Sequence, residues 1–135
     1  MLSVAPAEVI LFRTVLVGAG GFLGASARYL VGGLVYRWLT PQFPYATLFI
    51  NVSGCFGIGL LAVLAEERFG IGPEARLFWM AGVLGGYTTF STFGYETFTL
   101  ARDGSYVLAA VNVVGQVLLG LIAVWAGVVA ARWMS

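Results

Sequence analysis

Long apolar stretches separated by short polar segments run along the whole chain. Between Ala46 and Ala65, and again from Ser105 to Ala131, there is no Asp, Glu, Lys or Arg. Each stretch reaches the roughly 20 residues that an α-helix needs to cross about 30 Å of hydrocarbon. The segments TPQFP, EERFGIGPE and ARDGS separate the stretches, and their prolines and glycines favour turns. The pattern predicts four membrane-spanning helices, at about residues 13–39, 46–65, 76–100 and 106–133.

The composition fits lipid rather than water as the surroundings of the fold. Of the residues, 60% are hydrophobic and 10% are charged, whereas a soluble domain carries about 25% charged residues. We therefore expect one all-α membrane domain over residues 1–135, multi-pass in the cell (inner or plasma) membrane. The formal net charge of +1 argues against a nucleic-acid partner. The chain has no histidine and no visible catalytic constellation, so an enzyme is not expected.

The arginines give only a weak indication of orientation. Cytoplasmic loops carry the excess of positive charge in membrane proteins, and here four arginines lie on one side of the predicted spans and two on the other. These are Arg13, Arg68, Arg76 and Arg132 on the first side, and Arg37 and Arg102 on the second. This bias is compatible with insertion in a single orientation or in both orientations. An inverted pair would then have the pseudo-two-fold symmetry that larger transporters build from inverted repeats.

The third predicted span contains a run that a lipid-facing helix would not favour. It combines a glycine pair with four hydroxyl residues and two phenylalanines: Gly85, Gly86, Thr88, Thr89, Phe90, Ser91, Thr92 and Phe93. Glycine and β-branched residues lower helix propensity. Irregular backbone at membrane depth is tolerated only where protein or a polar cavity satisfies it. We therefore expect a helix interruption near Gly85–Thr89 that faces the protein interior, with a kinked helix packed through small residues as the alternative.

Such an interruption would free backbone groups for ions. Freed carbonyls suit a hard cation such as Na⁺, whereas freed N–H groups and hydroxyls suit an anion. Phe90 and Phe93 are three residues apart and would share a helix face. Since a phenyl ring has a positive edge, an edge-on ring can contact an anion without supplying a charge. Ordinary packing is the alternative for both rings.

Neutral amides lie in the second and fourth predicted spans. Asn51 falls near the middle of the second, and Asn112 and Gln116 share one face of the fourth at a spacing of four. Together with the hydroxyls of the third span they would form a ladder of neutral donors, which suits an anion that must bind and then leave. For Asn51 the alternative is a single interhelical hydrogen bond, worth roughly 1 kcal/mol.

Arg28 lies inside the first predicted span, where a guanidinium is costly in lipid. It should therefore reach an interface, a vestibule or a partner. It could attract anions to a pore mouth, or it could form an ion pair, for which Glu96 near the end of the third span is the candidate. Both roles could hold together.

Three segments of the chain match a known family. GGFLGASARY, TLFINVSGCFGIG and GGYTTFSTFGYET resemble the Fluc (CrcB-type) fluoride channels, and the match covers all four spans in order. The resemblance implies four-helix subunits that form antiparallel, dual-topology homodimers. It also implies two pores along the dimer interface and a central Na⁺. The implied function is passive export of fluoride, which enters acidified cells as HF and ionises inside.

The resemblance also implies roles for individual residues. The backbone carbonyls of Gly85 and Thr88 would hold the Na⁺, and Phe90, Phe93 and Asn51 would face the fluoride pore. The polar track would consist of Ser91 and Thr92 on the third helix and Asn112 and Gln116 on the fourth. Some members have tyrosine or serine at these last two positions. Arg28 and Glu96 match an arginine and a glutamate of the family.

Two other classes of protein compete with this interpretation. A small multidrug or guanidinium exporter also has four helices and inverted dimers, but it needs a membrane-embedded acid to exchange protons for a cation. Glu96 is the only acid within a predicted span, and it lies near an end. A structural membrane subunit would need only small-residue packing, which would leave the GGYTTFSTFG run unexplained.

Overall fold

The computed structural model describes residues 5–68 and 70–134, and within these residues it contains helices and no strands. The α-helices are α1 (Ala7–Val35), α2 (Tyr45–Val63), α3 (Pro73–Arg76), α4 (Gly85–Tyr87), α5 (Phe90–Arg102) and α6 (Tyr106–Met134). A π-helical turn, Leu64–Arg68, extends α2, and a second π-helical stretch, Leu77–Leu84, joins α3 to α4. The protein is therefore all-helical, as the sequence predicts.

Three helices are long and apolar enough to cross a membrane. They cover Ala7–Val35, Tyr45–Glu67 and Tyr106–Met134, which match the first, second and fourth predicted spans. The third predicted span is divided into two helical segments, residues 73–87 and 90–102. The chain is thus a multi-pass membrane protein with one interrupted helix.

The first helix differs from its predicted bounds of 13–39. It begins at Ala7, directly after Pro6, and Glu8 lies in its first turn. An acid in the first turn favours a helix N-terminus through the helix dipole. The helix ends at Val35, and the chain continues to residue 39 in hydrogen-bonded turns, such as Trp38 N–H to the Val35 carbonyl at 3.1 Å.

Glycines allow α1 to pack directly against the backbone of the third span. A Cβ on Gly24 would overlap the carbonyl oxygen of Val83, and one on Gly86 would lie 2.6 Å from the carbonyl oxygen of Gly21. Glycines of α1 and of the third span therefore form a direct backbone contact. Because lipid gives helices no hydrophobic reason to associate, such close backbone packing is what holds them together.

Glycines also allow α2 to pack closely against its neighbours. A Cβ on Gly59 would overlap the Val124 carbonyl of α6, and a Cβ on Gly54 would overlap the side chain of Thr88. The second helix therefore packs tightly against α6 on one side and against the end of α4 on the other. This position brings Asn51, three residues before Gly54, beside the interruption of the third span.

One end of the bundle is closed by charged side chains. Arg13 of α1 pairs with Glu74 of α3 at 3.2 Å. The guanidinium of Arg76 donates to the carbonyl oxygens of Ile71 at 3.2 Å and Ala65 at 3.3 Å. Carbonyls at the C-terminal end of a helix lack intrahelical partners, so Arg76 satisfies one where α2 ends. Arg13 and Arg76 thus lie at the same end of the bundle, as the sequence predicts.

The glycine packing gives a direct test of the α1 contact. Gly24→Ala should lower the thermal unfolding midpoint of the purified protein in detergent, because the added methyl must displace the backbone at Val83 and such overpacking costs about 1–3 kcal/mol. Gly18→Ala is the matched control on the same helix, since a Cβ there meets nothing within 4 Å. Tryptophan fluorescence measures both. Equal midpoints for the two variants would contradict the packing.

Candidate functional site

The third span is interrupted at two residues, Thr88 and Thr89. Their backbone is extended, with φ −79° and ψ 159° at Thr88 and φ −151° and ψ 119° at Thr89. Gly85 still has helical angles, φ −62° and ψ −37°. The break therefore lies within the predicted range of Gly85–Thr89, at its C-terminal end.

Asn51 replaces the hydrogen bonds that the break removes. The N–H of Thr89 donates to Asn51 Oδ1 at 2.8 Å, and Asn51 Nδ2 donates to the Thr89 carbonyl at 2.9 Å. A backbone N–H can only donate and a carbonyl can only accept, so these two bonds fix which way the amide points. The side chain from α2 thus satisfies both polar backbone groups of a residue that is 9% exposed.

The break also frees two carbonyl groups. In a continuous helix the N–H of Thr89 would bond to the Gly85 carbonyl and the N–H of Thr92 to the Thr88 carbonyl. Instead, the first donates to Asn51 and the second to Oγ1 of Thr89, at 3.2 Å. The carbonyls of Gly85 and Thr88 have therefore lost their helical partners.

The α5 helix begins with a side-chain cap that the sequence interpretation did not assign. Thr89 occupies the N-cap position, where threonine is favoured. Its hydroxyl also donates to Thr92 Oγ1 at 3.0 Å and lies 3.4 Å from Ser91 Oγ. The hydroxyls predicted for the polar track are therefore grouped at the first turn of α5. The sequence does contain a signal for this cap, because a threonine stands three residues before another hydroxyl residue.

A chain of hydrogen bonds, here called the amide relay, runs from Asn51 across α6 and back to α5. Asn51 Nδ2 donates to Gln116 Oε1 at 3.0 Å, and Gln116 Nε2 donates to Asn112 Oδ1 at 3.5 Å. Asn112 Nδ2 donates to Thr97 Oγ1 at 2.9 Å, and Thr97 donates to the Phe93 carbonyl at 2.8 Å. The predicted face of Asn112 and Gln116 thus turns inward.

Two cavities border the break. The first, called the arginine cavity, has a volume of about 860 Å³, and the second, the phenylalanine cavity, about 400 Å³. The lining of the arginine cavity includes Arg28, Arg37, Thr47, Ile50, Thr89 and Thr92. The lining of the phenylalanine cavity includes Asn51, Gly85, Thr88, Thr89, Phe90, Phe93 and Gln116. Thr89 belongs to both, so the cavities meet at the break.

The two phenylalanines share a helix face, as predicted, but differ in exposure. Their ring centroids are 5.4 Å apart with the planes inclined at 59°. Phe93 is 8% exposed, whereas Phe90 is 82% exposed. One ring is therefore enclosed by this chain, and the other lies on its surface.

Arg28 and Glu96 do not form the ion pair considered above. No ion pair joins them among the side chains that the structure describes, so that alternative is wrong. Glu96 Oε1 instead accepts a hydrogen bond from Thr47 Oγ1 of α2 at 2.8 Å, while Arg28 lines the arginine cavity. The Glu96 carboxylate therefore bonds to a hydroxyl of α2, and the Arg28 guanidinium lies at the arginine cavity.

The structure brings most of the predicted site residues together around the break. Asn112 is the exception among the amides, because it is 0% exposed and lines neither cavity. Three contacts involve partners that the sequence interpretation did not assign: Thr47 with Glu96, Thr97 with Asn112, and Ser53 Oγ with Tyr87 Oη at 2.9 Å. Each joins residues on different helices, which no local pattern signals.

Comparison with known proteins gives one consistent result. A family model described as CrcB-like protein, Camphor Resistance (CrcB), matches residues 15–128. The chain is 46% identical over 117 residues to the fluoride-specific ion channel FluC of Chlorobium luteolum, covering 87% of this chain and 90% of that protein. It is 45% identical over 120 residues to the fluoride-specific ion channel FluC of Solibacter usitatus, covering 89% of this chain and 98% of that protein.

A further relative is longer than this chain. The fluoride-specific ion channel FluC of Methylococcus capsulatus is 49% identical over 119 residues, which are 88% of this chain and 52% of that protein. The chain therefore spans about half the length of that relative and most of the length of the other two.

Asn51 offers a test of how the break is stabilised. Asn51→Leu should lower the thermal unfolding midpoint, because the Thr89 N–H and carbonyl lose their partners and each buried unsatisfied group costs about 1–3 kcal/mol. Ser53→Ala is the control on the same helix and should cost less, since it removes hydroxyl bonds but no bond to the break. A Leu variant as stable as the Ala variant would show that Asn51 does not hold the break.

Proposed function

The chain belongs to the CrcB family, and from this premise we propose that it is a fluoride-specific ion channel that passively exports cytoplasmic fluoride. Three relatives with 45–49% identity carry that name. The observation that carries the proposal at the level of residues is the break at Thr88–Thr89, which borders both cavities through Thr89. Irregular backbone at membrane depth is tolerated where it is buried in protein or lines a polar cavity, and broken helices of transporters form ion sites in this way.

The two cavities form the proposed path of the anion through one subunit. Arg28 lines the arginine cavity, where its positive charge raises the local concentration of anions. The exposed hydroxyl of Thr92, which lines the same cavity, follows at the start of α5, and Ser91 is exposed beside it but lines neither cavity. Beyond Thr89 the anion meets neutral groups only, so it passes from a charge that attracts it to donors that release it.

The phenylalanine cavity, the smaller of the two, supplies the uncharged contacts. Phe90 and Phe93 offer the positive edges of their rings, and the amides of Asn51 and Gln116 line the same space. An anion there exchanges water for ring edges and N–H groups without meeting a fixed cation. Glu96 lies apart from this cavity, on Thr47.

A second, antiparallel copy of the chain is proposed to complete the channel. Phe90 is 82% exposed although it lines the phenylalanine cavity, so one wall of that cavity is open in a single chain. A homodimer buries this ring and forms two equivalent pores along its interface. The weak arginine bias is compatible with insertion in both orientations, as dual topology requires.

The freed carbonyls of Gly85 and Thr88 fit a hard cation such as Na⁺, which prefers oxygen dipoles. They are neutral oxygens that the break has left without helical partners. Two carbonyls from each subunit of the proposed dimer would hold the ion at the centre. When bound, Na⁺ would supply one positive charge that stabilises the broken backbone of both subunits.

The principal test is fluoride efflux from proteoliposomes, measured with a fluoride electrode in Na⁺ buffer. The protein should release fluoride well above empty liposomes and release little chloride. Phe93→Ile should reduce the flux by about tenfold or more, since 1.4 kcal/mol in a barrier changes a rate tenfold. Phe98→Ile is the matched control, because Phe98 is an exposed phenylalanine of α5 that lines neither cavity.

Absence of efflux above empty liposomes would reject the channel. Equal flux in Phe93→Ile and Phe98→Ile would show that Phe93 does not line the pore, but it would not contradict the channel function. The proton-coupled exporter makes a different prediction: transport of a cation that follows the pH gradient and disappears in Glu96→Gln. That result, without fluoride efflux, would favour the exporter.

Removal of Na⁺ tests the cation site. Because a ligand that binds only the folded state stabilises it in proportion to the logarithm of its concentration, the thermal unfolding midpoint should rise steadily with Na⁺. Replacing Na⁺ by N-methylglucamine at constant ionic strength should lower the midpoint. If Na⁺, K⁺ and N-methylglucamine gave the same midpoint, the freed carbonyls would not form a Na⁺ site.

A further inference from the structure

An open groove between α1, α2 and α6, here called the apolar groove, takes no part in the proposed anion path. It has a volume of about 980 Å³, and its lining includes Leu34, Trp38, Tyr45, Phe49, Phe56 and Ala126. No charged side chain lines it among the residues that the structure describes. The hydroxyl of Ser53, which also lines it, is already bonded to Tyr87 at 2.9 Å. The groove therefore offers a ligand hydrocarbon contacts and almost no polar group.

The apolar groove and the break of the third span lie on opposite faces of α2. Gly54 faces Thr88 at the break, whereas Phe49, Val52 and Phe56 line the groove. At 3.6 residues per turn, these three residues lie about 140–160° around the helix axis from Gly54. A second copy docked at the break, as proposed above, would therefore lie on the other side of α2 and leave the groove to the lipid.

The apolar groove has about the length of one bilayer leaflet. Its lining runs along α2 from Tyr45 to Phe56, an interval that rises about 16 Å at roughly 1.5 Å per residue. Half of the hydrocarbon core is about 15 Å thick. Trp38 and Tyr45 stand at one end of the groove, and the amphipathic rings of such residues favour the headgroup zone. The groove therefore begins at headgroup level and reaches about to the midplane.

Arg37 places a positive charge beside the headgroup end of the apolar groove. It directly precedes Trp38, and Leu34 lines both the groove and the arginine cavity, to which Arg37 belongs. Arg37 is exposed and forms no ion pair within residues 5–68 and 70–134. Basic side chains beside membrane helices attract anionic lipid headgroups. An apolar surface of one leaflet's length thus has a cation at its mouth.

We propose that the apolar groove binds one acyl chain of an anionic phospholipid, whose headgroup is held by Arg37. Acyl chains are as apolar as the lining, so the hydrophobic effect does not select a ligand inside a bilayer. Any acyl chain can fill the groove for van der Waals contact, and the charge at the mouth decides which lipid stays. In the proposed antiparallel dimer the two grooves open to opposite leaflets, so each leaflet supplies one lipid.

Native mass spectrometry of the purified protein tests the proposal, with phosphatidylglycerol and phosphatidylcholine of identical acyl chains as probes. Each chain should retain one phosphatidylglycerol, about fivefold more strongly than phosphatidylcholine, which is the scale of one basic residue near an anionic headgroup. Arg37→Gln should abolish this preference, and Arg37→Lys should keep it. Because a bound lipid stabilises the folded state, phosphatidylglycerol should also raise the thermal unfolding midpoint of the wild type more than phosphatidylcholine does.

Two further variants test the groove itself. Ala126→Phe fills it and should lower the retention of both lipids by about tenfold, since overfilling a packed space costs free energy on that scale. Trp38→Ala removes a ring that is 84% exposed, so it should weaken retention without disturbing the bundle if Ala126→Phe does not fold. The matched controls are Ala110→Phe on the exposed surface of α6 and Trp133→Ala, at a ring that is 89% exposed. Neither control residue lines the groove, so both variants should retain lipid as the wild type does.

Three outcomes would overturn the proposal. They are equal retention of the two lipids by the wild type, equal retention in each groove variant and its control, and a shift from dimer to monomer in Ala126→Phe but not in Ala110→Phe. The last would show that a second copy, and not a lipid, covers the groove. None of these measurements uses fluoride flux, so a failure of the lipid site and a failure of the proposed channel are distinguishable.

Discussion

The pair of hydrogen bonds between the Asn51 amide and the backbone of Thr89 is the contact on which the site depends. Lipid offers no water to satisfy a backbone group, so an interrupted helix must find its partners within the protein. One primary amide has a donor and an acceptor side by side, and it can therefore replace the next peptide of the helix. This replacement separates the carbonyls of Gly85 and Thr88 from their helical partners without leaving Thr89 unsatisfied.

Glycines let the helices pack closely where Asn51 reaches the break. Gly54 leaves the space that the Thr88 side chain fills, and Gly24 leaves the space occupied by the Val83 carbonyl. A methyl group at either position would push the third span away from its neighbour. The glycines therefore act on the site indirectly, since a hydrogen bond of 2.8 Å tolerates little displacement.

The features that follow from local sequence could be predicted, and those that need a distant partner could not. The GGYTTFSTFG run signals the interruption, and the spacing of Phe90 and Phe93 signals their ring contact. In contrast, the polar character of Asn51 does not reveal whether its amide contacts an ion or Thr89. Thr89 is 38 residues away in the chain, so no local pattern signals the contact. For the same reason the sequence suggested Arg28 as the partner of Glu96, although Thr47 of α2 donates to the Glu96 carboxylate.

Two features of the single chain are incomplete in the same way. Phe90 is exposed beside a cavity that it lines, and two carbonyls would be few for the proposed Na⁺. A two-fold axis near the break would supply a second wall to the cavity and a second pair of carbonyls at once, because an isologous interface places the same groups opposite each other. A two-fold dimer, such as the proposed antiparallel one, is thus the simplest single arrangement that addresses both, since a foreign subunit would need a separate reason for each.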